Sequence, residues 1–382
     1  MRAGWLVVVA GVAACTSASG GLDHHGGPPD GGGGPDAAAE PDSGRDTGAS
    51  DARPCADCEY FPDTCSADVL CPHGLFDPDS PSGGLDPRTS INVIRGRSVS
   101  DVWAAGAVGA VAHFDGTSWT RSDTGSQETM RALWLHDSTE VAFGFLDRVY
   151  VRGVDVQDGG VQPSAGGWTF HSPSDVSEED PPTARPEWLW HPAGDSLWRL
   201  RRSPSGVFEV QVGVPSSVCR GAGCTRISSI HGSSASELWA VGEAGATVRI
   251  TDATGDAPKV EAFNSRTRNA LRGVWEASPS EAWSVGAMGT IRHYAAATRR
   301  WDALSDVPTT ADLNAVWGAS STDVWAVGNG GVVLHYDGHR WSRAKIAGLG
   351  VGRPNLTAVW VAAAGHVWIG GQGVILSLGG KP

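Results

Sequence analysis

Residues 313–341, LNAVWGASSTDVWAVGNGGVVLHYDGHRW, constrain this chain more than any other stretch, because the chain repeats them about seven times. LNAVW and DVWAV are short runs rich in Val and Trp. They are bounded by residues 318–322 and 328–331, the pattern of consecutive antiparallel strands. VVLHY follows, and Asp337-Gly338 after it reads as a two-residue hairpin turn in which both central residues take positive φ. A fourth strand begins at Trp341. The unit is therefore a four-stranded meander of roughly 42 residues.

Two positions eight residues apart track the unit along the chain. They are Arg95/Trp103, Trp134/Ala142, Trp190/Trp198, His231/Trp239, Trp275/Trp283, Trp317/Trp325 and Trp360/Trp368. Subtracting each second position from the next gives steps of 39, 56, 41, 44, 42 and 43 residues. An acid recurs two residues before the second position (Asp101, Glu140, Glu237, Glu281, Asp323). A glycine recurs three residues after it (Gly106, Gly242, Gly286, Gly328, Gly371). A period in the forties that holds strand and turn signals but no 3.6-residue stripe predicts propeller blades, not helical repeats. The expected fold is all-β, a seven-bladed β-propeller of four-stranded antiparallel blades over residues 91–382. Radial sheets bury both faces, so a large ring in each blade fills the wedge between neighbours, and small residues suit the crowded axis. The paired Trp are read as packing and not as sugar platforms, since a ligand site does not need the same ring in every blade. The seventh repeat stops after VILSL, short of its fourth strand. A strand upstream of Ile91, within residues 70–86, is expected to complete it and hide its edge.

The residues before the propeller form three segments. Residues 1–15, MRAGWLVVVAGVAAC, combine one Arg, a short apolar run and small residues, as a secretory signal does, and the run is too short for a permanent span. Val12-Ala13-Ala14-Cys15 resemble the lipobox of bacterial lipoproteins. That resemblance implies cleavage before Cys15, acylation of its sulfur and new amino terminus, and, with Thr16 following, sorting to the outer membrane. Residues 16–54 contain almost nothing apolar and are expected to be a disordered tether with a mean reach of about 35 Å. Residues 55–90 are Cys-rich. In an exported chain, Cys55, Cys58, Cys65 and Cys71 favour two disulfides over zinc, with connectivity open among three possibilities. Cys219 and Cys224 are expected to close a small loop at the end of the third repeat.

Formal net charge is −13, distributed as +1 over residues 1–15, −5 over 16–54, −6 over 55–90 and −3 over the propeller. Nucleic-acid binders need a basic surface to displace counterions, so nucleic acid is excluded as a partner. Arg199-Arg201-Arg202 and Arg299-Arg300 are assigned to solvated strands or turns. No HExxH, GxSxG or ordered Ser-His-Asp pattern occurs. His113, His293 and His335 each lie ten residues after their repeat's second Trp, so they are expected on separate blades, packing and not converging. His24-His25 and Asp155 with Asp158 are too sparse for a metal site, and no cofactor or metal is expected. The Asn355-Leu356-Thr357 sequon is read as coincidence.

WGASSTDVWAVGNGGVVLHYDGHRW resembles the repeats of secreted bacterial β-propeller lipoproteins. More remotely it is similar to Asp-box, or BNR-type, propellers, which include sialidases and photosystem II assembly factors. The resemblance covers residues 91–382 and implies binding or scaffolding at the cell surface. A sialidase would need an arginine trio, a Tyr nucleophile and a paired acid. The chain has only Tyr60, Tyr150, Tyr294 and Tyr336, and the last two share one strand position with Phe114, which marks them as structural. The expected function is that of a non-catalytic, monomeric envelope lipoprotein binding a protein or polysaccharide, anchored to the membrane at Cys15. The alternatives are a glycan-active enzyme and an assembly factor for an envelope complex.

Overall fold

The structure is a computed structural model that describes residues 57–77, 79, 84–144, 148–153, 162–172, 188–193, 195–202, 208–224 and 226–380. Its strands form seven antiparallel sheets, the blades of a seven-bladed β-propeller. Blade one, for example, comprises Ile91–Ser98, Asp101–Gly106, Val111–Phe114 and Trp119–Arg121. Blade six comprises Leu313–Ser320, Asp323–Gly328, Val333–Tyr336 and Trp341–Arg343. Blade three has three strands among the described residues, Trp188–Ala193, Ser196–Arg202 and Phe208–Val214. A short helix, Ser216–Ala222, follows them.

Blade seven, Leu356–Ala363, His366–Gly371 and Val374–Leu378, receives its outermost strand from Leu70–Pro72, which pairs antiparallel with Val374–Leu378. The closing strand lies at the start of the stretch that was expected to supply it. Residues 57–72 also grip blade six from outside: the Ile346 amide donates to the Tyr60 carbonyl at 2.9 Å, and the Leu70 amide to Lys345 at 2.9 Å. Arg353 lies 3.5 Å from the Phe61 ring centroid while its Nε donates to Asp57 at 3.1 Å. Cys65 and Cys71 are joined (Cα–Cα 5.9 Å), as are Cys219 and Cys224 (Cα–Cα 4.5 Å). Cys58 is disulfide-bonded too. Cys15 and Cys55 lie outside the described residues, as do His24, His25, Asp155 and Asp158.

Second-position Trp rings are mortar between blades. Trp283 of blade five meets Tyr336 and Trp341 of blade six at 4.8 and 5.5 Å. Trp239 of blade four meets Tyr294 and Trp301 of blade five at 4.5 and 5.1 Å. Trp368 of blade seven meets Phe114 and Trp119 of blade one at 4.9 and 5.0 Å, which closes the ring. Such pairs add roughly 0.5–1.5 kcal/mol each beyond the area they bury. Tyr294 and Tyr336 are therefore seam residues.

The recurring glycines are explained by backbone crowding. A Cβ on Gly106, Gly286 or Gly328 would stand 1.9–2.1 Å from the carbonyl oxygen of the residue preceding its blade's first strand: Ser90, Ala270 or Asp312. The amide after each glycine donates to that same carbonyl at 2.8–2.9 Å. Three residues beyond, Gly109, Gly289 and Gly331 take positive φ and donate to Glu128, Ala311 and Pro354, each leading into the next blade; in blade seven Gly373, two residues beyond Gly371, donates to Thr89. The last of these bonds links blade seven to blade one.

Three expectations need correction. Trp134 faces Val141, and Trp190 faces Arg199, each one residue away from the assigned partner. Blades one, five, six and seven carry a bulge just before their first hairpin turn, and blades two and three lack it, so their spacing slips by one. The Asp-Gly turns are four-residue loops, with Phe114 paired to Trp119 and Tyr336 to Trp341. Only the glycines, Gly116 and Gly338, take positive φ. The aspartates are needed as acceptors: Asp337 Oδ1 receives the His339 and Arg340 amides at 2.9 Å, and these bonds hold its carboxyl below the usual range. Arg199 is buried, not solvated, and donates to the Ala253 and Gly255 carbonyls at 3.0 and 2.8 Å, tying blade three to blade four.

Candidate functional site

The first strand of every blade faces the axis, and together they enclose a channel of about 760 Å³. Two rings of residues line it. The second residue of the first strand supplies Asn92, Arg272, Asn314 and Thr357 to one ring. Here hydrogen bonds run from blade to blade: Arg272 to Asn314 Oδ1 at 3.1 Å, Asn314 Nδ2 to the Leu356 carbonyl at 2.8 Å, and Asn92 Nδ2 to the Met130 carbonyl at 3.1 Å. Arg272 is balanced by Asp312 at 2.9 Å. The rim at this end is built by turns between second and third strands. At their tips Val108 and Met288 take φ of 53° and 56° and stand 58 % and 70 % exposed.

Three residues further along each strand, roughly 10 Å deeper at a strand's rise, the sequence places Arg95, Trp275, Trp317 and Trp360. The tryptophans do not behave alike. The Trp275 ring leans over Gly318 of blade six and the Trp360 ring over Gly96 of blade one, where any Cβ would lie 2.7 and 2.4 Å from the indole. The next-blade residue corresponding to those glycines is, for Trp317, Val361, whose side chain fills the space a glycine leaves open. Trp317 is only half-buried. The Arg95 guanidinium of blade one lies 4.4 Å over its ring, and His231 of blade four meets it edge-on at 4.8 Å. Three blades thus converge on one indole inside the channel.

The chemistry there follows from depth. Arg95 NH1 donates to its own strand's Ile94 carbonyl at 2.7 Å, and burial pulls its pKa down to about 10, which leaves it a cation at neutral pH. His231 Nδ1 accepts the Glu276 amide at 3.0 Å, so the neutral ring carries its proton on Nε2. Burial, and then the Arg95 charge, hold its pKa down to about 3. The lining also includes Arg131 and His191 and, among the described residues, no Asp or Glu. The flanking wall, Val93, Leu133, Val274, Val316, Ala358 and Val359, is apolar.

The repeated histidines stay on their own blades, as the spacing predicts. His113, His293 and His335 stack on Trp103, Trp283 and Trp325 at 4.2–4.4 Å and bond to Asp101, Glu281 and Asp323 at 2.7–2.9 Å. Blade four substitutes Arg249 for the histidine, paired with Glu237 at 2.6 Å. Asn355 is exposed and accepts the Gly330 amide at 3.1 Å. Residues 154–161 and 173–187, within the 56-residue step between the second and third repeats, lie outside the described residues. The Arg95–Trp317–His231 cluster was not anticipated. Its signal in the sequence is the substitution of Arg and His at positions that hold Trp in other repeats.

No family model matches the chain, and no curated protein is similar to it. Solved structures similar to it include YCF48 bound to D1 peptide, at 14 % identity and a TM-score of 0.54, covering 77 % of this chain and 93 % of that one. The WD40 β-propeller domain of Doa1 is similar at 10 % identity and a TM-score of 0.53, covering 82 % and 97 %. Virginiamycin B lyase from Staphylococcus aureus is similar at 12 % identity and a TM-score of 0.54, covering 76 % and 94 %. At these identities the likeness is one of fold.

Proposed function

We propose that this protein is a non-catalytic lipoprotein of the cell envelope. In this reading it is anchored through Cys15, held off the outer membrane by residues 16–54, and uses its propeller to bind a protein or polysaccharide partner. The observation that carries the reading is the composition of the channel. Among the described residues its lining combines arginines, histidines and apolar walls but no carboxylate. Glycoside hydrolysis by a paired acid and base needs two carboxylates flanking the bond, which argues against the glycan-active alternative. Similar folds include a propeller solved with a bound peptide. The exposed Val108 and Met288 at the rim suit a partner that covers apolar tips around the channel mouth. Disulfides accord with an oxidising compartment.

Affinity capture from detergent-solubilised envelopes tests the reading: a specific partner is expected with the native chain and reduced recovery with Met288→Asp. Absence of any partner above background, together with glycan turnover by the purified protein, overturns it. Mass spectrometry of the mature amino terminus, expected to show an acylated Cys15, tests the anchor.

A further inference from the structure

We propose that the channel binds a carboxylate monoanion with an apolar body, its carboxylate on Arg95 and His231 and its body along the Trp317 face and the aliphatic wall. This rests on the reading of the propeller as a binding module and specifies the ligand's chemistry. The first ground is charge. The propeller, of net charge −3, lines its axial channel with Arg95, Arg131, Arg272, His191 and His231 and, among the described residues, with no Asp or Glu. Arg272 already has Asp312. Arg95 has no carboxylate partner among the described residues, and only one of its five N–H groups is used, by the Ile94 carbonyl. The half-buried guanidinium sits between an indole and apolar walls, where a bound anion would supply the counter-charge that the channel lacks.

The second ground is geometry. The guanidinium carbon lies 4.4 Å over the Trp317 ring, and four of its N–H groups are unused among the described residues, enough for a two-pronged contact. His231, fixed as the Nε2–H tautomer by the Glu276 amide, adds a neutral donor beside the same indole. One cation with one neutral donor matches a single negative charge. A phosphate dianion would need a second cation, and Arg272 stands in the ring about 10 Å away along the strands. The flanking Val93, Leu133, Val274, Val316 and Ala358 suit a hydrocarbon or aromatic body, and about 760 Å³ accommodates a small organic acid.

Calorimetric titration of the full chain with sodium benzoate, against sodium chloride and inorganic phosphate, tests the proposal. Benzoate is expected to saturate with a Kd on the order of 1 mM and to quench tryptophan fluorescence, with phosphate binding weaker. Arg95→Gln is expected to weaken benzoate about 10- to 100-fold. Arg95→Lys keeps the charge and stem but loses the planar fork, so it should fold, as circular dichroism would verify, and still bind about 10-fold more weakly. Trp317→Phe should reduce the quenching while benzoate still binds. Benzoate no tighter than chloride, phosphate tighter than benzoate, or benzoate affinity unchanged in both Arg95 variants overturns the assignment. An envelope partner captured by a chain that ignores benzoate would sink this inference alone. Benzoate binding that depends on Arg95, with no partner captured, would sink only the envelope reading.

Discussion

Trp368 shows how far individual residues bend the repeat without breaking it. In blades one, five and six the second-position Trp is stacked by a histidine of the third strand, but in blade seven that place is Ser377. The missing ring comes from outside the repeat: His73, just past the closing strand, lies 4.7 Å from Trp368, and its Nε2 is 2.6 Å from Ser377 Oγ. Burial pulls the His73 pKa below the ordinary imidazole value. A lowered histidine is neutral in the fold and takes up a proton more readily when unfolded. Its contribution is therefore whole above about pH 6.5 and is lost as pH falls toward the folded value. His73→Ala is expected to cost about 1–2 kcal/mol at pH 7, and the gap between variant and parent should narrow as pH falls from 7 to 5. Urea denaturation across that range checks both, and a gap that widens in acid would contradict the assignment. The sequence shows the Ser in place of His but not the replacement, because 304 residues separate His73 from Ser377. Arg95 and Trp317 were obscured in a similar way. They occupy the same repeat position as the packing tryptophans, and only Val361, read as a neighbour in space, marks Trp317 as different.

At the scale of elements, strands were legible wherever all of a blade's signals agreed and illegible where one residue was gained or lost. The bulge before the first turn sets the eight-residue spacing, and a bulge leaves no composition signal, so the slip in blades two and three could only be seen in the sheet. The closing strand was inferred from need, since an open Val374–Leu378 edge would invite pairing with another chain. Its binding is more than three ladder pairs. Leu70 is fully buried, Arg343 and Arg353 clamp Tyr60 and Phe61, and the Cys65–Cys71 bridge fixes the segment just before it. Leu70→Ala should cost about 2–5 kcal/mol. The same variant should raise the dimer or aggregate fraction seen by light scattering in the cold, because the blade-seven edge is then released part of the time. An unchanged oligomer profile alongside a lowered midpoint would show that Leu70 only fills the core and does not guard the edge.

A closed ring fails first at its weakest seam, and the seven seams are unequal. Blades seven and one share the Trp368–Phe114–Trp119 cluster, the Trp360 ring over Gly96 and the Gly373-to-Thr89 bond. Blades four to five and five to six each hold a Trp–Tyr–Trp cluster of the same kind. Between blades two and three the described contacts are mostly aliphatic, Val141, Val149 and Val151 with Leu200; Trp134 packs against this cluster only partly buried, and Phe143 against His191 at 5.2 Å is the one ring pair described there. Valine and leucine can bury comparable area, but they lack the added 0.5–1.5 kcal/mol or so of each ring pair. Local opening free energies scale with such buried contacts. Native-state hydrogen exchange should therefore find the amides of Ala132–His136 and Ser196–Arg202 exchanging about 10-fold or more faster than those of Leu271–Ser278 and Asp323–Gly328. Equal protection around the ring would mean that closure, and not seam chemistry, sets local stability. Faster exchange at the seven-to-one seam would mean that the non-contiguous closing strand, and not the sparser aromatics between blades two and three, is the weak point.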